Sequence, residues 1–470
     1  MLTAPRAVLL SVLLTLPAIP AQKNTALLSQ FNPGNTYNEI WGYTSPTGGE
    51  YAILGAVNGT YIVDCSNPRQ PVQRAFIPGP NSNWRDMKTN GSYLYVVTEG
   101  GGGCQIIDLA NPNSPRLVKT WGATRWRNAH NVQIDTETNT MYVCGTNVGM
   151  PIFDISNPLE PTPITTFSGG YVHDLHVQNG RAHLAMINNS RYEAWDVSEL
   201  PAMTRLGSLS ISSAHNAWAS RDDSTVIVTS ETFGGGLTVV DMNNPRLPRS
   251  IATWIYNGGF GGSFTSIHNG FLVDRVLHVG NYIHGYRVVD LSNPSNPVEI
   301  ADYDTSQSLF GYAGAWGAYP YQPSGVIYVS DMESGLYVLS TPASTARYGN
   351  ASAPSNGAAP TIHPFGAAWA GNNRYALTVE GAPANARVAL VIGQAPGSVT
   401  IAGVELLVDL SRPHIVVNLT ANADGTARLD LPIPGNAPTT ELVAQGLVFD
   451  ASATLGLTGS RGMRFSLFRR

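Results

Sequence analysis

Four histidine residues recur at one position of a repeating pattern. Each lies 22 to 26 residues before an Asp that ends a short apolar stretch. The histidines are His130, His173, His215 and His268, and the residues that follow them are Asn131, Asp174, Asn216 and Asn269. Imidazole and carboxylate groups that converge can bind a divalent metal such as Zn, Mn, Fe, Cu or Ca. They can also serve acid/base chemistry near neutral pH.

A structural role for these histidines is the alternative. A repeated His can tie loops together by hydrogen bonds within each repeat, with no ligand shared between repeats. In that case no cofactor is present. The sequence predicts His130, His173, Asp174, His215 and His268 as metal-ligand candidates and leaves this choice open.

Other polar and aromatic residues fall at the same position of the remaining repeats or close to it. Two Glu residues follow second strands, and their loops can reach the same place. The candidate ligand-binding residues are Trp41, Arg85, Asp86, Asn131, Asn216, Asn269, Trp316, Glu99 and Glu231. The Trp residues could line a sugar or peptide site, or they could fill the centre of the fold.

The elements that position these residues are set by the repeat itself. Apolar stretches ending in Asp, often followed by Asn-Pro, recur at steps of 42 to 49 residues. Six copies end in Asp and a seventh, altered copy ends at Leu339. Seven copies at this spacing, rich in β-branched residues, predict a seven-bladed β-propeller. In the third repeat the predicted strands are about 131–134, 140–144, 151–155 and 162–167. Residues 25–31 form a strand without a repeat of its own, which can complete the seventh blade.

The composition changes after the last repeat. Residues 343–362 are rich in Ala, Ser, Gly, Asn and Pro, which predicts a linker. Residues 363–470 contain alternating or apolar strands separated by turns, which predict a small β-sandwich. The predicted organisation is all-β: a signal peptide at 1–21, a propeller at 22–342, the linker and the sandwich.

Composition and termini restrict the partners and the location. Arg6 followed by a short apolar run and small residues up to Ala21 predicts a secretory signal. No second apolar run is long enough to span a membrane, and no basic patch indicates nucleic acid. Cys65, Cys104 and Cys144 are an odd number, and buried free thiols are expected rather than a Cys104–Cys144 bridge.

The propeller region resembles the choice-of-anchor B family, which carries the Leu-Val-Ile-Val-Asp type of repeat. The matching segments are Tyr37–Tyr43, Trp84–Lys88, Ala129–Val132, His173-Asp174, Ile267–Asn269, Gly314–Tyr321 and Ser330–Leu339. The resemblance implies a bacterial protein that is extracellular or attached to the cell surface, and it implies no activity. Residues 363–470 resemble a β-rich C-terminal domain of secreted planctomycete-type proteins.

Two functions follow from these observations. The leading prediction is a secreted or cell-surface binding module that recognises an extracellular ligand or surface partner at the channel mouth, through a metal or a polar ligand. The alternative is a metal-dependent hydrolase or lactonase that uses the histidines. Convergence of three ring nitrogens with a carboxylate nearby favours the alternative, and wide separation removes its main support.

Overall fold

A computed structural model describes residues 22–256, 266–308, 310–354 and 357–470. The predicted signal peptide at 1–21 lies outside the described residues. Within them the chain is almost entirely β-structure, and one 3-10 turn at Ile187–Asn189 is the single helical element. No helix in these ranges is long and apolar enough to cross a membrane.

In the described residues up to Ser340, the chain forms seven four-stranded antiparallel sheets. The first three contain β2 (Tyr37–Thr44), β3 (Glu50–Ala56), β4 (Gly59–Asp64) and β5 (Val72–Pro78); β6 (Arg85–Asn90), β7 (Tyr93–Thr98), β8 (Cys104–Asp108) and β9 (Arg116–Trp121); and β10 (Asn131–Asp135), β11 (Thr140–Cys144), β12 (Met150–Asp154) and β13 (Thr162–Phe167). The fourth and fifth contain β14 (Asp174–Gln178), β15 (Arg181–Met186), β16 (Arg191–Asp196) and β17 (Thr204–Ser210); and β18 (Ala214–Ala219), β19 (Thr225–Ser230), β20 (Leu237–Asp241) and β21 (Arg249–Trp254).

The sixth sheet contains β22 (Gly270–Val273), β23 (Val276–Gly280), β24 (Tyr286–Asp290) and β25 (Val298–Tyr303). The seventh contains β26 (Ala315–Tyr319), β27 (Ile327–Asp331), β28 (Gly335–Ser340) and the N-terminal strand β1 (Ala26–Phe31). The strand β1 pairs antiparallel with β28, with Ala26 opposite Ser340. The prediction that residues 25–31 complete the last repeat is therefore confirmed.

The first strands of the sheets surround a common centre. Each of β2, β6, β10, β14, β18 and β22 contacts the first strand of the following sheet, and β26 contacts β2. Apolar side chains fill the space between neighbouring sheets; Leu54 and Val63, for example, pack with Tyr328 and Val338. Complete burial of one such aliphatic side chain stabilises the fold by about 1.5–3 kcal/mol. The arrangement is that of propeller-like blades around a central channel.

Two further sheets and a hairpin form the C-terminal unit. One sheet contains β29 (Ala346–Tyr348), β39 (Gly462–Leu467), β37 (Thr440–Phe449), β32 (Arg387–Gly393) and β35 (His414–Thr420), with β38 (Leu457–Gly459) paired to β37. The other contains β30 (Thr361–Phe365), β31 (Ala376–Glu380) and β36 (Ala427–Asp430), and the hairpin is β33 (Pro396–Ile401) with β34 (Val404–Val408). Leu377 and Val379 of one sheet share a core with Leu390 and Phe465 of the other.

The segment 343–362 and the three cysteines are both the subject of predictions from composition. The segment 343–362, predicted to be a linker, contains β29 and the first residues of β30, and β29 pairs with β39. The three cysteines are buried and free, which confirms that prediction.

Candidate metal centre

The four histidines lie at the beginning of four consecutive innermost strands. His130 and His173 directly precede β10 and β14, and His215 lies in β18. One residue, Asn269, separates His268 from β22. Because the repeat places the same register of each sheet at the same height, the four rings come together at one mouth of the channel. The cavity there is lined by Glu39, Trp84, Arg85, Asp86, His130, Asn131, His173, His215, His268, Asn269 and Trp316. The cavity has a volume of about 20 Å³, which is enough for one ion or one water molecule.

The imidazole rings follow one another around the mouth at short spacing. Ring centroids are 4.1 Å apart for His130 and His173, 4.2 Å for His173 and His215, and 4.6 Å for His215 and His268. Trp316 continues the series at 4.3 Å from His268. Adjacent rings are tilted by 46° to 54°, so each presents an edge rather than a full face to the next.

Three of the rings are held by a hydrogen bond from Nδ1. His130 Nδ1 lies 2.6 Å from Glu99 Oε1, His173 Nδ1 lies 3.0 Å from the His215 carbonyl oxygen, and His268 Nδ1 lies 2.7 Å from the Trp316 carbonyl oxygen. A carboxylate or a carbonyl can only accept, so Nδ1 carries a hydrogen in all three rings, and Nε2 keeps a free lone pair in the neutral rings of His173 and His268. Histidines that ligate metals are oriented in the same way, with the other nitrogen donating to a carboxylate or carbonyl.

Ligand atoms of these residues converge in two overlapping groups. One nitrogen each of His130, His173 and His215 lie within 4.8 Å of one another. The same holds for one atom each of His215, Glu231 and His268. Nitrogens on one tetrahedral zinc ion are about 3.3 Å apart, so both groups are close to the spacing of a metal site. Three histidines therefore lie near one another with a carboxylate beside them.

His215 belongs to both groups and has an incomplete set of partners. Its Nε2 lies 3.3 Å from Glu231 Oε2, and its Nδ1 is buried without a hydrogen bond. The other oxygen of Glu231 accepts a hydrogen bond of 2.6 Å from the Tyr282 hydroxyl. Tyr282 thus fixes the carboxylate that faces the histidine.

Burial lowers the pKa of His173, His215 and His268 and so keeps these three in the neutral form. Removal from water lowers the pKa of His173 and of His215 well below the ordinary value, and the nearby histidines lower both further. Burial likewise lowers the pKa of His268 to about 3. Neutral imidazole is the form that can ligate a metal, because the lone pair is then free. Burial also raises the pKa of Glu231, and the Tyr282 hydrogen bond opposes that shift.

A layer of buried acids and amides lies one residue further along the innermost strands. Asn269 Nδ2 donates to Glu39 Oε2 at 2.7 Å, and Asn216 Nδ2 donates to Asp174 Oδ2 at 2.7 Å. Burial raises the pKa of Glu39 to about 7 and that of Asp174 to about 6.

One lysine provides the positive charge of this layer. Lys88 Nζ lies 2.8 and 3.0 Å from the two carboxylate oxygens of Asp86 and 4.5 Å from the centre of the Trp41 ring. Asp86 also accepts a hydrogen bond from the backbone N–H of Val132 in the next sheet. The layer joins neighbouring sheets beneath the histidines.

A family model described as the LVIVD repeat matches residues 48–74, 83–121 and 278–305. The chain contains LVIVD repeats. No curated protein matches the chain. The matched segments lie in the first, second and sixth sheets, so the likeness agrees with a propeller-like repeat protein.

The LVIVD matches do not reach the four histidines. Of the candidates named from the sequence, Arg85, Asp86 and Glu99 lie inside a matched segment. His130, His173, His215 and His268 all lie outside the matched segments. The likeness therefore supports the architecture and carries no information about the histidine site. The predicted membership of the choice-of-anchor B family stays a prediction.

The structure brings most of the predicted site residues to the mouth. The histidines, Arg85, Asp86, Asn131, Asn269 and Trp316 line the cavity, and Glu99 and Glu231 contact two of the histidines. Asp174 and Asn216 belong to the layer beneath. The Arg85 side chain points between the first and second sheets, where it donates to the carbonyl oxygens of Ala56 and Pro80.

The structure corrects the predicted position of Trp41. The sequence placed it at the histidine register, but Glu39 occupies the mouth. Strand alternation carries Trp41 further along the channel, where its ring contacts Phe271, Tyr319 and Tyr321.

Sequence reasoning also missed Glu39 and Tyr282. Alignment of Asn38-Glu39 with Trp316-Gly317 would have found Glu39. A methyl group on Gly317 would overlap the Glu39 carboxylate, so the glycine leaves the space that the acid fills. For Tyr282, which lies in the loop after β23, the sequence carries no comparable signal.

Proposed function

We propose that the chain is a secreted or cell-surface binding module that holds a divalent transition-metal ion at the channel mouth. In this proposal the seven sheets are the blades of a closed seven-bladed propeller, and the C-terminal unit is a β-sandwich. The protein would belong to the choice-of-anchor B family, with a planctomycete-type C-terminal domain. One observation carries the proposal: His130, His173 and His268 are anchored through Nδ1, and ligand atoms of the four histidines and Glu231 converge within 4.8 Å in two sets of three.

The donor set favours a nitrogen-preferring ion. Neutral imidazoles suit Zn, Cu, Fe or Ni, whereas Ca and Mg prefer sets of oxygen ligands. His130, His173 and His215 offer three nitrogens, and Glu231 adds one carboxylate beside His215. We therefore expect Zn or Cu to bind more tightly than Ca. A coordination position left open toward solvent would accept a carboxylate or carbonyl oxygen of the extracellular partner.

The competing explanation is that the histidines only tie adjacent sheets together. The His173 and His268 bonds to the next sheet's backbone exist without any ion. That explanation does not account for the convergence of ligand atoms within 4.8 Å. It also leaves the buried Nδ1 of His215 without a partner.

Titration calorimetry of the full mature chain with ZnCl₂ separates the two explanations. We expect one ion per chain, with binding abolished in His173→Ala and retained in His414→Ala, an exposed histidine of the C-terminal unit. Absence of Zn²⁺ and Cu²⁺ binding to the folded wild-type protein would leave the histidines as structural ties.

A metal-dependent hydrolase or lactonase is the second candidate. The supporting observation is Glu231, whose carboxylate lies 3.3 Å from His215 and is hydrogen-bonded to Tyr282, close enough to act as a base at a metal-bound water. Hydrolysis of simple lactones and esters by the Zn-loaded protein, lost in Glu231→Gln with the ion still bound, would establish this activity. Equal rates in wild type and Glu231→Gln would reject it.

A further inference from the structure

A second cavity lies toward the other end of the channel, where the C-terminal unit covers the sheets. Its walls combine later residues of the innermost strands, such as Gln178 and Trp218, with Arg347 and His363 of the C-terminal unit. Its volume is about 380 Å³, within the range of small-molecule sites. No residue of the His-lined mouth takes part in it.

One side of this cavity is a stack of nearly parallel rings. His176 and Trp218 have ring centroids 4.1 Å apart with 24° between their planes, and Tyr321 is inclined by 27° to Trp218. Phe271 supports Trp218 edge-on at 4.8 Å. A ligand ring with a flat apolar face extends such a stack, because aromatic faces carry partial negative charge and attract C–H groups.

Hydrogen-bonding groups of both kinds surround the stack. The backbone N–H of Ala219 donates to His176 Nδ1 at 3.2 Å, so the ring hydrogen is on Nε2. Gln178 uses its amide nitrogen on Ser220 and Asp223, which leaves its oxygen as an acceptor. The cavity thus offers a donor on His176 and an acceptor on Gln178, two residues apart on β14.

Arg347 supplies a further donor from the C-terminal unit. Its Nη1 binds the Ile362 carbonyl oxygen, and in the described ranges of the chain it makes no ion pair within 4.0 Å. Its remaining N–H groups are available to a ligand oxygen. A hydroxyl group both donates and accepts, so adjacent hydroxyls match this mixture of donors and acceptors.

The charges around this cavity balance. Asp274 lies 2.9 Å from Arg221 Nε and 3.5 Å from His363 Nδ1, and Arg221 also pairs with Glu380. Both carboxylates pair with Arg221, and Glu380 does so from outside the cavity, so the two arginines and two carboxylates carry no net formal charge although Arg347 itself is in none of these ion pairs. A site with this balance suits an uncharged ligand better than an anion.

We propose that this cavity binds a neutral sugar ring, as a single monosaccharide or one unit of a glycan. The ring stacks against His176, Trp218 and Tyr321, and its hydroxyls bond Gln178 and Arg347. The cavity shares no residue with the mouth that His130, His173, His215 and His268 line. Sugar binding therefore neither needs the metal nor depends on the proposed function.

Saturation-transfer NMR on the full mature chain tests the proposal. The probes are D-glucose, D-galactose, D-mannose, D-xylose, L-fucose and N-acetyl-D-glucosamine, with D-glucuronate as the acidic comparison and adenosine as the aromatic one. We expect at least one neutral sugar to bind, with affinity at least 10-fold weaker in Trp218→Leu. Trp84→Leu, which removes an exposed indole at the opposite mouth, should bind as wild type does.

A second variant protects the test against misfolding. If Trp218→Leu melts at a much lower temperature than wild type, Arg347→Gln replaces it, and the same loss of sugar binding is expected. The proposal is overturned if none of the neutral sugars binds, if only glucuronate or adenosine binds, or if Trp84→Leu loses binding equally. Retention of sugar binding in both folded cavity variants would also overturn it.

Discussion

The two ends of the central channel are built from the same strands but carry opposite chemistry. At one mouth the strands begin with His130, His173 and His215, which place one ring nitrogen each within 4.8 Å of one another. Toward the other end, strand alternation presents the rings of His176 and Trp218 instead. The first end offers metal-type ligands around a space of about 20 Å³, whereas the second offers stacked rings around a space of about 380 Å³. The strands β14 and β18 thus each supply a metal-type ligand at the start and a stacking ring three residues later.

The largest effect on the difference between the two ends is expected from replacing His215, which belongs to both ligand groups. Loss of a supporting partner of a metal ligand costs 10–100-fold in affinity, so His215→Ala should weaken Zn²⁺ binding by more than about 100-fold. Calorimetry measures the change, and sugar binding at the other end should be unaffected. An unchanged Zn²⁺ affinity would show that the ion, if bound, lies elsewhere.

Glu99 sharpens the account of how the mouth is oriented. Its carboxylate accepts from His130 Nδ1 at 2.6 Å, so Glu99→Gln weakens the partner that holds the ring. We expect Zn²⁺ affinity to fall by about 10-fold. Glu160→Gln, which alters only a surface pair with Lys119, is the matched control. Equal affinities for the two variants would argue against a supporting role for Glu99.

The pH dependence of stability tests the ionisation of Glu39 in the buried layer. Burial raises its pKa from 4.5 to about 7, with Asp86 adding to the shift and Lys88 opposing it. The folded state keeps the proton where the unfolded state has lost it, so this contribution to stability is complete below pH 4.5 and disappears as pH rises to 7.

Glu39→Gln removes this penalty at high pH. Relative to wild type, its free energy of unfolding should rise by roughly 1–3 kcal/mol between pH 4.5 and pH 8. Urea unfolding in the presence of a chelator measures both proteins without bound metal. A difference that stays constant with pH would show that Glu39 ionises normally in the channel.

The smallest effect is expected where the C-terminal unit meets the sheets. The Arg221–Glu380 pair is partly exposed, and such pairs contribute about 0–1 kcal/mol. Glu380→Gln should therefore lower the free energy of unfolding by less than about 1 kcal/mol and leave Zn²⁺ binding unchanged. A loss of several kcal/mol would mean that this pair holds the two parts of the chain together.

The periodic features of the fold were predictable from the sequence. In the third repeat the predicted strands 131–134, 140–144, 151–155 and 162–167 differ from the observed ones by at most one residue at each end. The apolar stretches that end in Asp fix the third strand of each sheet. Counting back from them locates the innermost strand, and therefore the height of each histidine.

The sequence was less informative where the strands depart from a regular register. The pairing of β2 with β3 is irregular between Tyr37 and Ile40, which displaced the predicted position of Trp41 and hid Glu39. Nor can periodicity show that Tyr282, from a loop, reaches Glu231. The cavity near Trp218 depends on Arg347 and His363, which follow the last repeat, so no pattern within the repeats could predict it.

X-ray absorption spectroscopy on the Zn-loaded full chain, together with elemental analysis, tests the central claim most directly. The account predicts one ion per chain with at least three nitrogen ligands at about 2.0–2.1 Å, all lost when His130, His173 and His215 are replaced together by Ala. The account would be contradicted by a folded wild-type protein that takes up no ion, or by the same nitrogen-ligated signal in the triple variant.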